Sequence, residues 1–266
     1  MRKTKREKKY LFVSDFDQTI SLDDSGTLIS QALGISQDRF LEKVKAIRRR
    51  NIVQLGGELA YLLVTDPEYK GKVTKDIFIK VGKEIRLKNN VAELFKILNQ
   101  GIEHIKFLPY VVSACPKPLI VKSLENILPE DQIFGTDFRY DHDGKVIEID
   151  RTAAGQGKVA ILDLLIERVH VPREQVIYVG DGSSDLHVML HVNVYGGFTI
   201  AVSPSPYLGH ISKRTVLSDN ALAVLVPILE FILNYDEKQI KEFFNDIGHP
   251  IFKWNRAQTE WLTIEG

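Results

Sequence analysis

The stretch Tyr10-Leu11-Phe12-Val13-Ser14-Asp15-Phe16-Asp17-Gln18-Thr19-Ile20 constrains the chain most, because a short apolar run stops there at two acids separated by one residue. A run of this length, rich in aromatic and β-branched residues, has the pattern of a strand buried on both faces of a parallel sheet. The acids then stand at its carboxyl end, the edge of an open α/β sheet where loops and helix N-termini receive ligands. Two carboxylates so close repel each other, and a fold that keeps them at a strand tip has a cation or a proton to share between them. The plainer reading is a strand that ends in a solvated aspartate turn.

Three later segments bear on that choice. Val111-Val112-Ser113-Ala114 closes another apolar run with a small hydroxyl residue, and Gly155-Gln156-Gly157-Lys158 places a lysine in what reads as the first turn of a helix. Val176-Ile177-Tyr178-Val179-Gly180-Asp181-Gly182-Ser183-Ser184-Asp185 is a third buried-strand pattern, ending in Gly-Asp-Gly with a second aspartate beyond it. In this order the segments resemble the haloacid dehalogenase-like hydrolases, a superfamily made up mostly of Mg²⁺-dependent phosphatases. The family pattern is Asp-x-Asp-x-Thr, then Ser or Thr, then Lys, then Gly-Asp-x-x-x-Asp. The match runs over residues 11 to 205 with no departure at a reactive position.

The spacing of the strands adds an insertion. After Thr19 the next buried-strand pattern is Phe107 to Ser113, far beyond what a parallel crossover needs. The residues between have helical periodicity at Asp24 to Ala32 with Ser25 as a cap, Gln37 to Arg50, Asn51 to Val64, Thr74 to Arg86 and Val91 to Asn99. The layout is similar to the helical-cap branch that includes phosphoserine phosphatase. Ser113-Ala114, the Gly-Gln-Gly-Lys stretch, and Gly135-Thr136 followed by a hairpin signal at Asp143-Gly144 add to that resemblance. The expected fold is α/β, a Rossmann-like three-layer parallel-sheet core with an inserted all-helical cap that closes over the site and excludes water. Residues 1–21 and 108–234 are expected to form the core, 22–107 the cap and 235–266 a C-terminal helical extension packed on the core. Pro118 to Leu128 reads as a helix, Gln132 to Phe134 as a short strand and Thr215 to Leu217 as an edge strand. Trp254 and Trp261 read as packing anchors.

The chemistry follows from charge. A carboxylate approaching a phosphate dianion at about 3.5 Å and an effective dielectric of about 20 meets roughly 9 kcal/mol of repulsion. A cation held by Asp15, the backbone carbonyl of Asp17 and Asp181 would offset it, and a hard, oxygen-only site suits Mg²⁺. The resemblance implies that Asp15 is the nucleophile that forms an aspartyl-phosphate, and that Asp17 is the general acid and base, oriented by Thr19. It implies that Lys158, the Ser113 hydroxyl and the Ala114 N–H bind phosphate, and that Asp185 completes the metal's ligands directly or through water. Asp24 stands where phosphoserine phosphatases carry a glutamate for the substrate amine, a departure that weakens phosphoserine as substrate; the residue serves equally well as a helix cap. Within the cap, Arg48-Arg49-Arg50 is either a solvated helix face or the source of an arginine for an anionic part of the substrate.

Composition narrows the partners. With 35 basic against 35 acidic residues the net charge is zero, so nothing suggests wholesale nucleic-acid binding. Met1 to Lys9 is basic and reads as a solvated lead-in. Cys115, the one cysteine, admits no intrachain disulfide and reads as a loop or core thiol. No secretory signal or bilayer-length apolar segment is legible, so the expectation is a cytoplasmic enzyme, monomer or homodimer, acting on a small phosphorylated metabolite. Two other readings remain: a phosphotransferase to an alcohol acceptor, and a non-catalytic phosphate-binding module. The carboxylate at Asp17 argues against the second, and also against a dehalogenase, since a halide leaves without a proton.

Overall fold

The computed structural model describes residues 8–256; the lead-in before Lys8, Trp261 and the last residues of the expected C-terminal extension lie outside them. The chain divides into two compact units, the first ending at Val224 and the second beginning at Leu225. The break therefore falls earlier than the sequence suggests, and α-helical residues assigned there to the core belong to the second unit.

The first unit is organised on β1 (Lys8–Ser14), whose residues Leu11, Phe12 and Val13 are completely or almost completely buried. Burial of each such side chain contributes about 1.5–3 kcal/mol, enough to make this run the centre of a sheet. Four helices follow: α1 (Ser25–Ala32), α2 (Gln37–Arg50), α3 (Glu58–Thr65) and α4 (Lys75–Glu84). The chain returns through α5 (Val91–Gln100), β2 (Ile105–Pro116), α6 (Lys117–Ser123), β3 (Ile133–Tyr140) and β4 (Val146–Arg151). It ends with α7 (Gln156–Val169), β5 (Val176–Gly180), α8 (Leu186–Val194), β6 (Phe198–Ala201), α9 (Pro206–Ile211) and β7 (Arg214–Thr215).

The strands form one sheet in the order β4-β3-β2-β1-β5-β6-β7. Every pairing is parallel except the β3–β4 hairpin, which turns at Asp141–Gly144 as Asp143-Gly144 predicts. The order runs outward from β1 in one direction and then, from β5, in the other. The crevice beside the carboxyl end of β1 is therefore the switch point at which open α/β sheets receive ligands. The α/β core and the helical insertion between β1 and β2 are as expected. The limits of the insertion differ from 22–107, because α5 packs against β2 and β2 starts at Ile105.

Three local expectations give way to backbone conformation. Asn51 takes a left-handed conformation that stops α2, so the helix expected from Asn51 begins at Glu58. The helix expected at Pro118 to Leu128 ends at Ser123, and Asn126 beyond it has φ of 66°. The strand expected at Gln132 to Phe134 continues to Tyr140, because Asp137 to Tyr140 find antiparallel partners in β4. In the second unit, α10 (Leu225–Phe231) packs with α11 (Glu237–Asp246), which Asp236 and Gln239 cap reciprocally. Trp254 is half-buried, with the Arg256 guanidinium 4.6 Å above its ring.

Candidate active site

The ends of β1, β2 and β5 and the start of α7 bring the sequence-predicted residues together. Asp15 follows directly on β1 and is 3% exposed; its amide donates to the Val179 carbonyl, locking it against β5. Lys158, in the first turn of α7, is fully buried and places its Nζ 3.0 Å from Asp15 Oδ1 and 2.6 Å from Asp185 Oδ1. Burial alone would lower the pKa of that ammonium, but Asp15 and Asp185 more than offset it and the net shift is upward. Ser113, three residues before the end of β2, is buried with its hydroxyl beside Asp15 and accepts from the Cys115 amide at 3.3 Å. The adjacent Ala114 presents its carbonyl to the Thr136 hydroxyl at 2.8 Å.

Asp185 is anchored through both of its oxygens. Its Oδ1 accepts from Lys158 Nζ and from Tyr178 OH at 2.7 Å, while its Oδ2 accepts from the amides of Asp181 and Gly182, both at 3.1 Å. A carboxylate has about four acceptor sites, so Asp185 is saturated. It holds Lys158 and shapes the Gly180–Gly182 turn, leaving Asp15 and Asp181 as the carboxylates with oxygens to spare. Tyr178 was not singled out from the sequence, yet a tyrosine in a wholly buried strand must find a partner for its hydroxyl, and that signal was available.

Thr19 also differs from expectation, since its hydroxyl donates to Asp181 Oδ1 at 3.4 Å rather than to Asp17. Asp17 is held instead by Ser25, through the amide at 3.1 Å and the hydroxyl at 2.5 Å. Ser25 is the first residue of α1, not its cap. Asp24 is the cap, accepting from the Thr27 amide at 2.7 Å. Burial, then the charge of Asp24, raise the Asp17 pKa well above its ordinary value, against the opposing pull of Ser25.

The loop between α2 and α3 reaches these strand tips. Gln54 Oε1 accepts from the Gln156 amide at 2.7 Å, at the start of α7, and Gly56, with φ of 90°, lies where a Cβ would come 2.7 Å from Ser184 Cβ. Arg48 serves this loop: its Nε donates to Glu58 Oε1 at 2.7 Å, and Glu58 Oε2 accepts from the Gly56 amide at 2.9 Å. Arg49 and Arg50 are exposed and have no polar partner among the described residues. No motif in the sequence marks Gln54 or Glu58.

The donor set fits a divalent cation. Asp15, Asp181 and Asp185 each bring a carboxylate oxygen within 4.8 Å of the others. Asp15 Oδ1 is buried without a hydrogen-bond donor, its approach to Lys158 being an ion pair only. Burial first, and then Asp185, raise the Asp15 pKa to about 6; burial, then Asp15 and Asp185, raise that of Asp181 to about 8. Both folded-state values lie above 3.8, so the stability these groups contribute is full below 3.8 and is lost as pH rises through about 6 and about 8. The metal-free protein should accordingly lose thermal stability from about pH 4 to about pH 8, and less steeply in Asp181→Asn. Equal slopes in thermal melts of the two proteins would show that Asp181 is not strained by its neighbours.

Comparison with known proteins bears on the family and the fold. A family model described as haloacid dehalogenase-like hydrolase matches residues 12–190. No curated protein matches the chain. Among solved structures the chain is similar to a substrate-bound phosphoserine phosphatase, at TM-score 0.65 and 19% identity over 84% of this chain and 99% of that one. It is similar to a phospho-aspartyl intermediate analogue of phosphoserine phosphatase, at TM-score 0.64 and 21% identity over 83% and 99%. A third likeness is to a phosphoserine phosphohydrolase-like protein from Francisella tularensis, at TM-score 0.63 and 20% identity over 82% and 99%. At such identities the likeness is one of fold. Among the described residues no helix is long and apolar enough to cross a membrane.

Proposed function

The chain belongs to the haloacid dehalogenase-like hydrolases, and from that premise we propose that it is a Mg²⁺-dependent phosphatase. Its substrate would be the phosphomonoester of a small metabolite, hydrolysed through an aspartyl-phosphate on Asp15. The observation that carries this reading is the meeting of Asp15, Lys158, Asp181 and Asp185 from separate segments around one buried carboxylate oxygen that lacks a donor.

Asp15 Oδ1 and Asp181, with the Asp17 backbone carbonyl implied by the family resemblance, would hold the cation. When bound, it would offset the repulsion between the nucleophile and the phosphate dianion. Lys158 supplies a fixed positive charge for phosphate oxygens, and Asp185 and Tyr178 keep it from swinging away. The Ser113 hydroxyl, beside Asp15, and the Ala114 N–H would add the neutral donors for phosphate that the family resemblance implies. Asp15 attacks phosphorus in line, forming the bond to its carboxylate oxygen as the ester oxygen leaves with its electron pair. Asp17, with its pKa raised, carries the proton that the leaving oxygen takes, and then accepts one from the water that releases phosphate. The loop at Gln54 and Gly56, which reaches the start of α7 and Ser184, would limit access for large substrates, which favours small metabolites over phosphoproteins.

Hydrolysis of p-nitrophenyl phosphate tests the reading. Turnover is expected with Mg²⁺, to be lost with a chelator and restored by adding Mg²⁺ back. Metal-independent turnover, or none under either condition, would reject the proposal. Supplying acceptor alcohols and measuring phosphorylated product separates hydrolysis from transfer.

A further inference from the structure

A cleft of about 340 Å³ opens between the loop after β1, the segment joining α4 to α5, and the loops after β6 and β7. Its lining includes Gln18, Ser21, Lys88, Ser203, Ser218 and Asp219. Two of these residues connect the cleft to the loops that carry the site. Gln18 follows Asp17, and the Ser203 hydroxyl donates to the Asp181 carbonyl.

The segment bearing Lys88 is fixed from both sides. The Lys88 amide donates to the Ile20 carbonyl, the Asn89 amide to the Asp219 carbonyl, and the Ala221 amide to the Asn89 carbonyl, all at 2.9 Å. The Lys88 ammonium is half-buried, yet it makes no hydrogen bond or ion pair among the described residues. Burial lowers its pKa while Asp181 and Asp219, from beyond contact distance, pull it back up. A partly desolvated cation without an acceptor is costly, and an anionic oxygen would relieve that cost. Other donors share the cleft. The Gln18 side chain is exposed at its rim with its carboxamide unpartnered among the described residues, on a residue held at φ of 54°. The Ser218 oxygen accepts from the Asn220 amide at 3.1 Å, which leaves its O–H free to donate. Of the two nearby carboxylates, Asp219 is exposed and screened by water, and Asp181 faces the cation in the reading above.

We propose that this cleft is a subsite for a second anionic group of the substrate, a carboxylate or a phosphate, with Lys88 as its counter-ion and Gln18 and Ser218 as neutral donors. This rests on the phosphatase reading and narrows its substrate to phosphate esters that carry another negative charge. An ester of a neutral alcohol would leave Lys88 without an acceptor.

The matched probes 3-phosphoglycerate and glycerol 3-phosphate differ at the end remote from phosphate, where one has a carboxylate and the other an alcohol. The ratio of their kcat/KM values should favour the carboxylate in the wild type. It should fall by about tenfold or more in Lys88→Met, the size of one lost charge-assisted hydrogen bond, and be largely kept in Lys88→Arg. Thermal unfolding checks that both variants are folded. A ratio that moves less than about twofold in folded Lys88→Met overturns the proposal. If sulfate raises the melting temperature of the wild type but not of Lys88→Met while the ratio stays put, the cleft takes a free anion and the substrate assignment fails. Absence of p-nitrophenyl phosphate turnover instead brings down the phosphatase reading, and this inference with it; normal turnover with an unmoved ratio brings down the inference alone.

Discussion

Asp15→Asn is expected to lower turnover of p-nitrophenyl phosphate by at least about four orders of magnitude, and to do so in a folded protein. The amide of asparagine is no nucleophile, and nothing else at the tip of β1 can replace it, since Ser14 donates its hydroxyl to the Asp15 carbonyl and is completely buried. The substitution is nearly isosteric and removes a carboxyl whose charged form is disfavoured by burial and by Asp185. Lys158 keeps its shorter pairing, that to Asp185. In metal-free buffer above about pH 6 the variant should therefore be at least as resistant to urea as the wild type. Rates on the two proteins with Mg²⁺, together with urea titrations, decide the matter. Retention of more than about one hundredth of the rate would exclude a covalent role for Asp15. A large loss of stability would mean that the missing activity reports unfolding.

Lys158→Met should cost both activity and stability, because the lysine does two jobs with one charge. It is fully buried between Asp15 and Asp185, which are themselves at most a few per cent exposed. Removing one partner of a buried ion pair leaves the other charge uncompensated and typically costs about 3–5 kcal/mol. Methionine fills much of the volume, so the loss is electrostatic more than a matter of packing. The rate should fall by about a hundredfold to a thousandfold, the range for a lost preorganised donor at a developing charge. The stability cost should shrink as pH falls toward about 6, because Asp15, without the lysine that lowers its pKa, takes up a proton more readily and then needs no counter-charge. Urea denaturation across pH, run beside rate measurements, checks both parts. A variant as stable and active as the wild type would show that the buried triad has no role in either.

The sequence made much of this legible for identifiable reasons. The run Leu11 to Val13 is apolar on both faces and therefore central, and the acids directly after it had to stand at the strand tip. Lys158 was readable because Gly155 opens a helix with a 3.6-residue apolar repeat, which puts the lysine in the first turn. Residues 51–57 suit either a helix or a loop by pattern, and only the left-handed Asn51 and the Glu58 anchor for the Gly56 amide make them a loop. The part played by Thr19 was transferred from a resemblance. In this chain Ser25 reaches Asp17 with two donors, and Thr19 is left facing Asp181.

What the sequence determined by itself is the order of the buried strands and most of the helices between them, and which reactive residue stands near which strand tip, because these follow from local periodicity and from polar groups that cannot lie inside an apolar run. The tertiary structure decided who partners whom: Asp185 saturated by Lys158, Tyr178 and two amides, Asp17 claimed by α1, and Lys88 left without an acceptor among the described residues, within the electrostatic reach of Asp181. Such assignments turn on distances of about an ångström between groups remote along the chain. Local pattern does not encode them; they are set when the sheet and its helices pack and each buried donor takes the nearest acceptor left to it.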